Sequence, residues 1–164
     1  MKIGVISDTH DNIELAKKAV EYFESEKVDK VVHCGDMVAP FAAELFDKDF
    51  DFIAVRGNND GEWNLKQTVE EFGEFHNNIA ELELSGNEIA VYHGTEESIV
   101  ESLVESGSYE YVLRGHTHQK KVSECNGAIE LNPGGIKLPG QDEEFHVAII
   151  DFEKGDINFR RIKE

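Results

Sequence analysis

The sequence has only two cysteines, Cys34 and Cys125, in 164 residues. That is too few for a secreted scaffold built on disulfides, and Cys34 sits in the apolar run Val31-Val32-His33-Cys34, an ordinary place for a small buried thiol. Basic residues are scarce as well. Sixteen Lys and Arg stand against 34 Asp and Glu, for a formal net charge of −18. A field of that sign repels polyanions, which argues against a nucleic acid polymer or an anionic membrane surface as partner. Long hydrophobic runs are also missing. The opening stretch Lys2-Ile3-Gly4-Val5-Ile6-Ser7 is too short for a signal peptide or a membrane span, so a cytoplasmic location is expected. There is no internal repeat, low-complexity tract or linker. With 40% hydrophobic residues the chain is expected to fold as one domain over 1–164; a homo-oligomer is compatible with the sequence.

Short apolar runs alternate with helical patterns through the first half, the signature of βαβ units and a largely parallel sheet. Residues 3–7, 31–34 and 52–55 read as strands. Asn12 offers a helix N-cap ahead of Ile13, Ala16, Ala19, Val20 and Phe23 at helical spacing, and Pro40 suits the first turn of a short helix. Residues 62–75 read as helical on a looser pattern. In the second half, 79–84 and 88–92 form a hairpin about Ser85-Gly86-Asn87, 97–106 a helix stopped by Gly107, and 111–113 a short strand. Further strands are expected over 120–123, 128–131, 145–152 and 157–162.

Polar clusters stand directly after these strands: Asp8-Thr9-His10, Gly35-Asp36, Gly57-Asn58-Asn59-Asp60, His93-Gly94 and Gly115-His116-Thr117-His118. In open α/β sheets ligands bind beyond the carboxyl ends of the strands, so neighbouring strands would bring all five clusters to one rim. Carboxylate, carboxamide and imidazole without thiolate suit manganese, iron, nickel, cobalt or zinc in a site other than a sulfur-bound structural one. If each X-x-X segment stays extended, Asp8 with His10, and His116 with His118, point to the same side. Taken singly each cluster also reads as a turn or a cap. The ordered set, each member closing a strand, is what points to a metal centre.

On these motifs the chain resembles the calcineurin-like metallophosphoesterases, and looks closest to their small, single-domain phosphodiesterase branch. The resemblance runs from Ile3 to about Phe152 and includes Asn132-Pro133-Gly134-Gly135, similar to that branch's late Asn-Pro-Gly turn. It implies an α/β fold, a layered αββα sandwich of two mixed β-sheets flanked by helices. It also implies two divalent metal ions, with Mn2+ the first expectation and Ni2+, Fe2+, Co2+ or Zn2+ the others. By resemblance Asp8, His10, Asp36 and His118 hold one ion, and Asp36, Asn58, His93 and His116 the other, so that Asp36 bridges. The activity implied is hydrolysis of a small phosphodiester by a hydroxide shared between the metals. The alternatives are a phosphomonoesterase or nucleotide hydrolase on the same site, or a non-catalytic protein-binding scaffold with the same fold.

One position departs from the family pattern. Where many members carry a histidine that protonates the leaving group, this chain has Asn59, whose amide hydrogen-bonds phosphate but does not titrate near neutral pH. Asp36, Asn59 and Asp60 are therefore the candidate catalytic residues, with Asp60 expected to orient Asn58, Asn59 or a ligand histidine, or else to be a turn aspartate. His33 reads as a satisfied core histidine. Trp63 reads as core ahead of a substrate-facing aromatic near the third cluster, and Arg56 as a structural ion-pair partner at least as readily as a phosphate contact. No segment reads as a base- or sugar-recognition element.

Overall fold

A computed structural model of the chain describes residues 1–137 and 144–163. The first strand, β1 (Lys2–Ile6), shows how the layers arise. Ile3 and Val5 point to one side of it and Ile6 to the other, and all three are fully buried, because successive side chains on a strand face opposite ways. Helix α1 (Ile13–Glu26) follows. The Asn12 side chain caps it by accepting from the Leu15 N–H at 3.0 Å, and Leu15, Ala16, Ala19, Val20 and Phe23 form its buried stripe. Burying a side chain such as Phe23 contributes roughly 1.5–3 kcal/mol.

Strands β2 (Lys30–His33), β3 (Asp51–Val55) and β4 (Gly73–His76) lie parallel beside β1. Between them run the short helices α2 (Pro40–Ala43), extended by a 3₁₀ turn, and α3 (Leu65–Glu70). A hairpin of β5 (Ile79–Leu84) and β6 (Asn87–Tyr92) turns at Ser85 and Gly86, both at positive φ, as a two-residue loop of type I′ requires. Then come α4 (Glu97–Glu105), β7 (Tyr111–Leu113), β8 (Lys121–Cys125), β9 (Ala128–Asn132), β10 (His146–Asp151) and β11 (Asp156–Arg161).

Two mixed sheets result, in the orders β11-β10-β1-β2-β3-β4 and β5-β6-β7-β9-β8. Three buried clusters glue the layers. Ile3, Val5, Val32, Val55, Ile89, Val91, Leu113, Leu131 and Ile150 lie between the sheets. Residues of α1, α2 and α3 with Val31, Phe52 and Ala54 cover the outside of the first sheet. Val100 and Val104 of α4 cover the second sheet at Ala90 and Val112. The expected αββα sandwich is thus present.

The expectation over 62–75 fails in part. Helix α3 is confined to Leu65–Glu70, and Gly73–His76 is a strand. Phe72 stacks on Phe52, and Phe75 packs into the same helix-side core. The open edge of β3 takes the backbone of β4, and the Arg56 N–H donates to the His76 carbonyl at 2.9 Å. Strand pairing overrides a weak helical pattern here. Both cysteines are free, Cys34 buried and Cys125 exposed.

Candidate metal centre

The polar clusters close β1, β2, β3, β6 and β7; β1, β2 and β3 run parallel to one another in the first sheet, and β6 and β7 in the second. Their carboxyl ends therefore meet on one rim of the sandwich. The backbone that does this is not extended as the X-x-X argument assumed. Asp8, His10, Asp36, His116 and His118 all have positive φ, between 40° and 70°. Left-handed backbone costs an ordinary residue roughly 1–2 kcal/mol, and neighbouring turns hold it here: the N–H groups of Asp8 and His10 donate to the carbonyls of Gly35 and Asp36 at 3.0 and 3.1 Å. Tight curls, rather than alternation, aim these side chains inward. Two glycines make the approach physically possible. A Cβ on Gly57 would stand 2.1 Å from Asp36 Oδ1, and one on Gly115 would stand 1.8 Å from Ser7 Oγ.

Asp8 is fully buried, and its two oxygens have different fates. Oδ2 accepts from the Ser7 hydroxyl at 2.6 Å and from the His116 N–H at 2.9 Å. Among the described residues Oδ1 has no hydrogen-bond partner. It faces His118 Nε2 at 3.4 Å and His10 Nε2 at 3.8 Å, and those two nitrogens are 3.2 Å apart. The far side of each key ring fixes what Nε2 carries. His118 Nδ1 lies 2.8 Å from the Ile136 carbonyl, and His93 Nδ1 lies 2.7 Å from the Cys34 carbonyl. A carbonyl only accepts, so each Nδ1 is protonated and, in the neutral ring, Nε2 presents a lone pair. His93 Nε2 then points at Asn58 Oδ1, 3.0 Å away, and at Asp36 Oδ2, 3.4 Å away. Lone pairs aimed at lone pairs are stable only with positive charge between them. The donor set fits a divalent cation: Asp8, His10 and His118, and likewise Asp8, Asp36 and His93, bring ligand atoms within 4.8 Å of one another.

The titration behaviour agrees. Burial alone would raise the Asp36 carboxyl, yet His93 and the Asn59 amides hold it well below the usual carboxylate range. Asp8, then Asp36, raise His10 against the opposing effect of burial. Burial lowers His93, and Asp36 and Asp8 more than offset it. Carboxylates and imidazoles here thus favour one another's charged forms.

Of the residues read from the sequence, Asp8, His10, Asp36, Asn58, His93 and His118 stand around this point. His116 belongs to neither three-residue group; its ring meets the His93 ring edge-on, 5.2 Å between centroids. Asn59 is tied to Asp36, its N–H donating to Oδ1 at 2.8 Å and its side-chain amide to Oδ2 at 2.6 Å. Asp60 does not orient Asn58, Asn59 or a histidine. Its buried carboxylate accepts from the N–H groups of Asp36 at 3.0 Å, Val38 at 2.7 Å and Gly57 at 2.7 Å, which locks the β2 and β3 loops together. His33 is a satisfied core histidine, bonded to Thr9 Oγ1 and the Gly35 N–H, and burial lowers it to about 4. Trp63 is not core; it is exposed.

Sequence reasoning missed Ser7 and Arg114. Arg114 is buried, and its guanidinium pairs with Glu97 at 2.8 Å and Glu130 at 3.4 Å and donates to the Gly94 carbonyl at 3.3 Å. It braces the His93 and His116 turns from behind. Glu97, more than half exposed, is a partner in this brace. An arginine closing β7 directly before Gly115 was the available signal.

Comparison with known proteins extends these observations. Residues 1–155 match the model of the calcineurin-like phosphoesterase superfamily domain. A phosphodiesterase of Methanocaldococcus jannaschii is 37% identical over 138 residues, which is 82% of this chain and 83% of that protein. A solved archaeal phosphodiesterase superposes with a TM-score of 0.91 at 33% identity, over 99% of this chain and all of the other. Vps29 of Entamoeba histolytica, solved with zinc, shares the fold at 14% identity, with a TM-score of 0.73 over 99% of this chain and 98% of its own. The chain belongs to the calcineurin-like phosphoesterase superfamily.

Proposed function

We propose that this protein is a metal-dependent phosphodiesterase that hydrolyses small phosphodiesters with two divalent cations. One cation is held by Asp8, His10, Asp36 and His118, and the other by Asp36, Asn58, His93 and His116, with Asp36 common to both. The observation that carries the reading is the partnerless, fully buried Asp8 Oδ1 facing two imidazole nitrogens. Such a carboxylate oxygen is costly to bury without a cation. The similarity to the Methanocaldococcus phosphodiesterase supports the choice of reaction.

When bound, such a pair of cations acidifies water and polarises phosphoryl oxygens. The protein's own residues do the rest. The Ile136 and Cys34 carbonyls keep His118 and His93 in the tautomer that ligates. Asn59 holds Asp36 ionised and immobile through two donated hydrogen bonds. Asn58 contributes a neutral oxygen, so less of the cations' charge is cancelled before an anionic substrate arrives. Without a titrating group at Asn59, the leaving group departs on its own acidity, which favours diesters with good leaving groups over simple monoesters.

Manganese is the first choice of metal on ligand type, and a small phosphoester the substrate. Among the described residues no helix is long and apolar enough to cross a membrane; a single domain working in the cytoplasm fits the reading. The test is hydrolysis of bis(p-nitrophenyl) phosphate, abolished by chelator and restored by Mn2+. Metal-replete protein inert on every phosphodiester would leave the scaffold alternative standing. Asn59→His is expected to raise monoester activity relative to diester activity; an unchanged ratio removes Asn59 as the cause of selectivity.

A further inference from the structure

The chain has one tryptophan, and Trp63 is 86% exposed. A single wet apolar side chain is unremarkable; its surroundings give this one meaning. Trp63 walls a cleft of about 210 Å³ together with Arg56, Asp60, Lys66, Phe75 and Asn77. Asp60 is common to the cleft and to the metal centre, because its carboxylate holds the Asp36 and Gly57 amides while its carbonyl accepts from Arg56 Nε at 3.1 Å. The cleft thus opens on the loop that also carries Asn58 and Asn59. Arg56 and Lys66 line it beside the acidic Asp60 and Glu62, and the Asp60 carboxylate is already taken up by the N–H groups of Asp36, Val38 and Gly57. Such a cleft combines a flat π-face at Trp63, an amide at Asn77 and a guanidinium at Arg56, groups with which proteins hold a base next to a phosphate.

We propose that this cleft binds the nucleoside end of the phosphodiester substrate, with the base stacked on Trp63 and Arg56 directed to the phosphate side. The proposal rests on the phosphodiesterase reading and narrows its substrate to mono- or dinucleotide size. The cleft has room for one ring system, and the overall charge repels a polymer.

Because Trp63 is the only tryptophan, its emission reports on the cleft alone. Adenosine 5′-monophosphate is expected to quench that emission saturably in chelator-treated protein, and ribose 5-phosphate to leave it unchanged. Quenching by both alike, or by neither, overturns the proposal. Equal affinity for phenyl phosphate overturns the nucleobase assignment. In the metal-loaded enzyme, Trp63→Leu is expected to lower kcat/KM for p-nitrophenyl thymidine 5′-phosphate about tenfold relative to methyl p-nitrophenyl phosphate, the lower end of what base stacking contributes. Equal losses on the two substrates overturn it. The two readings fail separately. Base-selective quenching in a protein that hydrolyses neither diester ends the phosphodiesterase reading and keeps the cleft, whereas normal turnover without selective quenching ends the cleft alone.

Discussion

The two sheets support the metal centre in opposite ways. On the side of β1, β2 and β3, a buried acceptor gathers donors: the Asp60 carboxylate takes the N–H groups of Asp36, Val38 and Gly57. On the side of β6, β7 and β9, a buried donor gathers acceptors: the Arg114 guanidinium takes Glu97, Glu130 and the Gly94 carbonyl. The proposed ligands divide along the same seam. The first sheet contributes the oxygens of Asp8, Asp36 and Asn58 together with His10, and the second contributes His93, His116 and His118. A cation on this rim would tie the two sheets together, so its loss should be felt as both lost chemistry and lost stability.

The strongest way to break the comparison is at the residue that touches both halves. Asp36 reaches His10 at 3.6 Å and His93 at 3.4 Å. Asp36→Asn is expected to cut diester turnover by about 10³-fold, since metal stabilisation of the transition state is worth several kcal/mol. Metal content should fall with it; unchanged stoichiometry by elemental analysis would refute the bridging role. Next in size is Arg114→Met, which leaves Glu130 buried without its guanidinium. Lys121 and Ser123 still hold that carboxylate, so the loss is expected at about 3 kcal/mol, the lower end for breaking a buried pair, read as a lower midpoint in urea. A loss as small as a surface pair's would mean that Arg114 is not a brace.

Asp60→Asn is expected to be milder. The amide keeps one accepting oxygen for three N–H groups, so about 1–3 kcal/mol should be lost, with activity falling through a looser Asp36 and metal affinity falling in step. Full metal affinity in that variant would separate Asp60 from the centre. The smallest effect concerns pH. Burial raises Glu130, but Lys121, Ser123 and Arg114 outweigh it and hold the carboxyl below its ordinary 4.5. Its contribution to stability is therefore complete above pH 4.5 and fades as pH falls through the lower folded value. Glu130→Gln should lose stability at neutral pH and converge with the parent in acid; a constant difference across that range would rule out ionisation as the cause.

Much of this arrangement was legible because strands announce themselves as apolar runs and because polar clusters closed each of them. The six ligand candidates around the convergence point were readable from residue type and place alone. What hid was set by contacts distant in sequence. Strand β4 exists because β3 had an open edge and because Phe72 found Phe52, and neither fact is visible in 62–75 itself. The left-handed turns at Asp8, His10, Asp36, His116 and His118 were also hidden, since only glycine and asparagine advertise that backbone. Trp63 was misread because hydrophobicity predicts burial in one direction only: most buried residues are apolar, but an apolar residue is not always buried.

Val38 carries the sharpest instance of this backbone. A branched valine at φ 84° is a poor resident of that region, and its N–H is held by Asp60 Oδ1 at 2.7 Å. The segment just past Asp36 is in effect a bent spring storing about 1–3 kcal/mol, fastened by Asp60 at Val38 and by Asp11 at the Met37 carbonyl and the Ala39 N–H. A substitution at Asp60 that loosens this fastening would let the spring straighten and draw Asp36 with it. Hydrogen bonds lying outside the proposed ligand set thereby set where Asp36 stands between the two halves of the molecule.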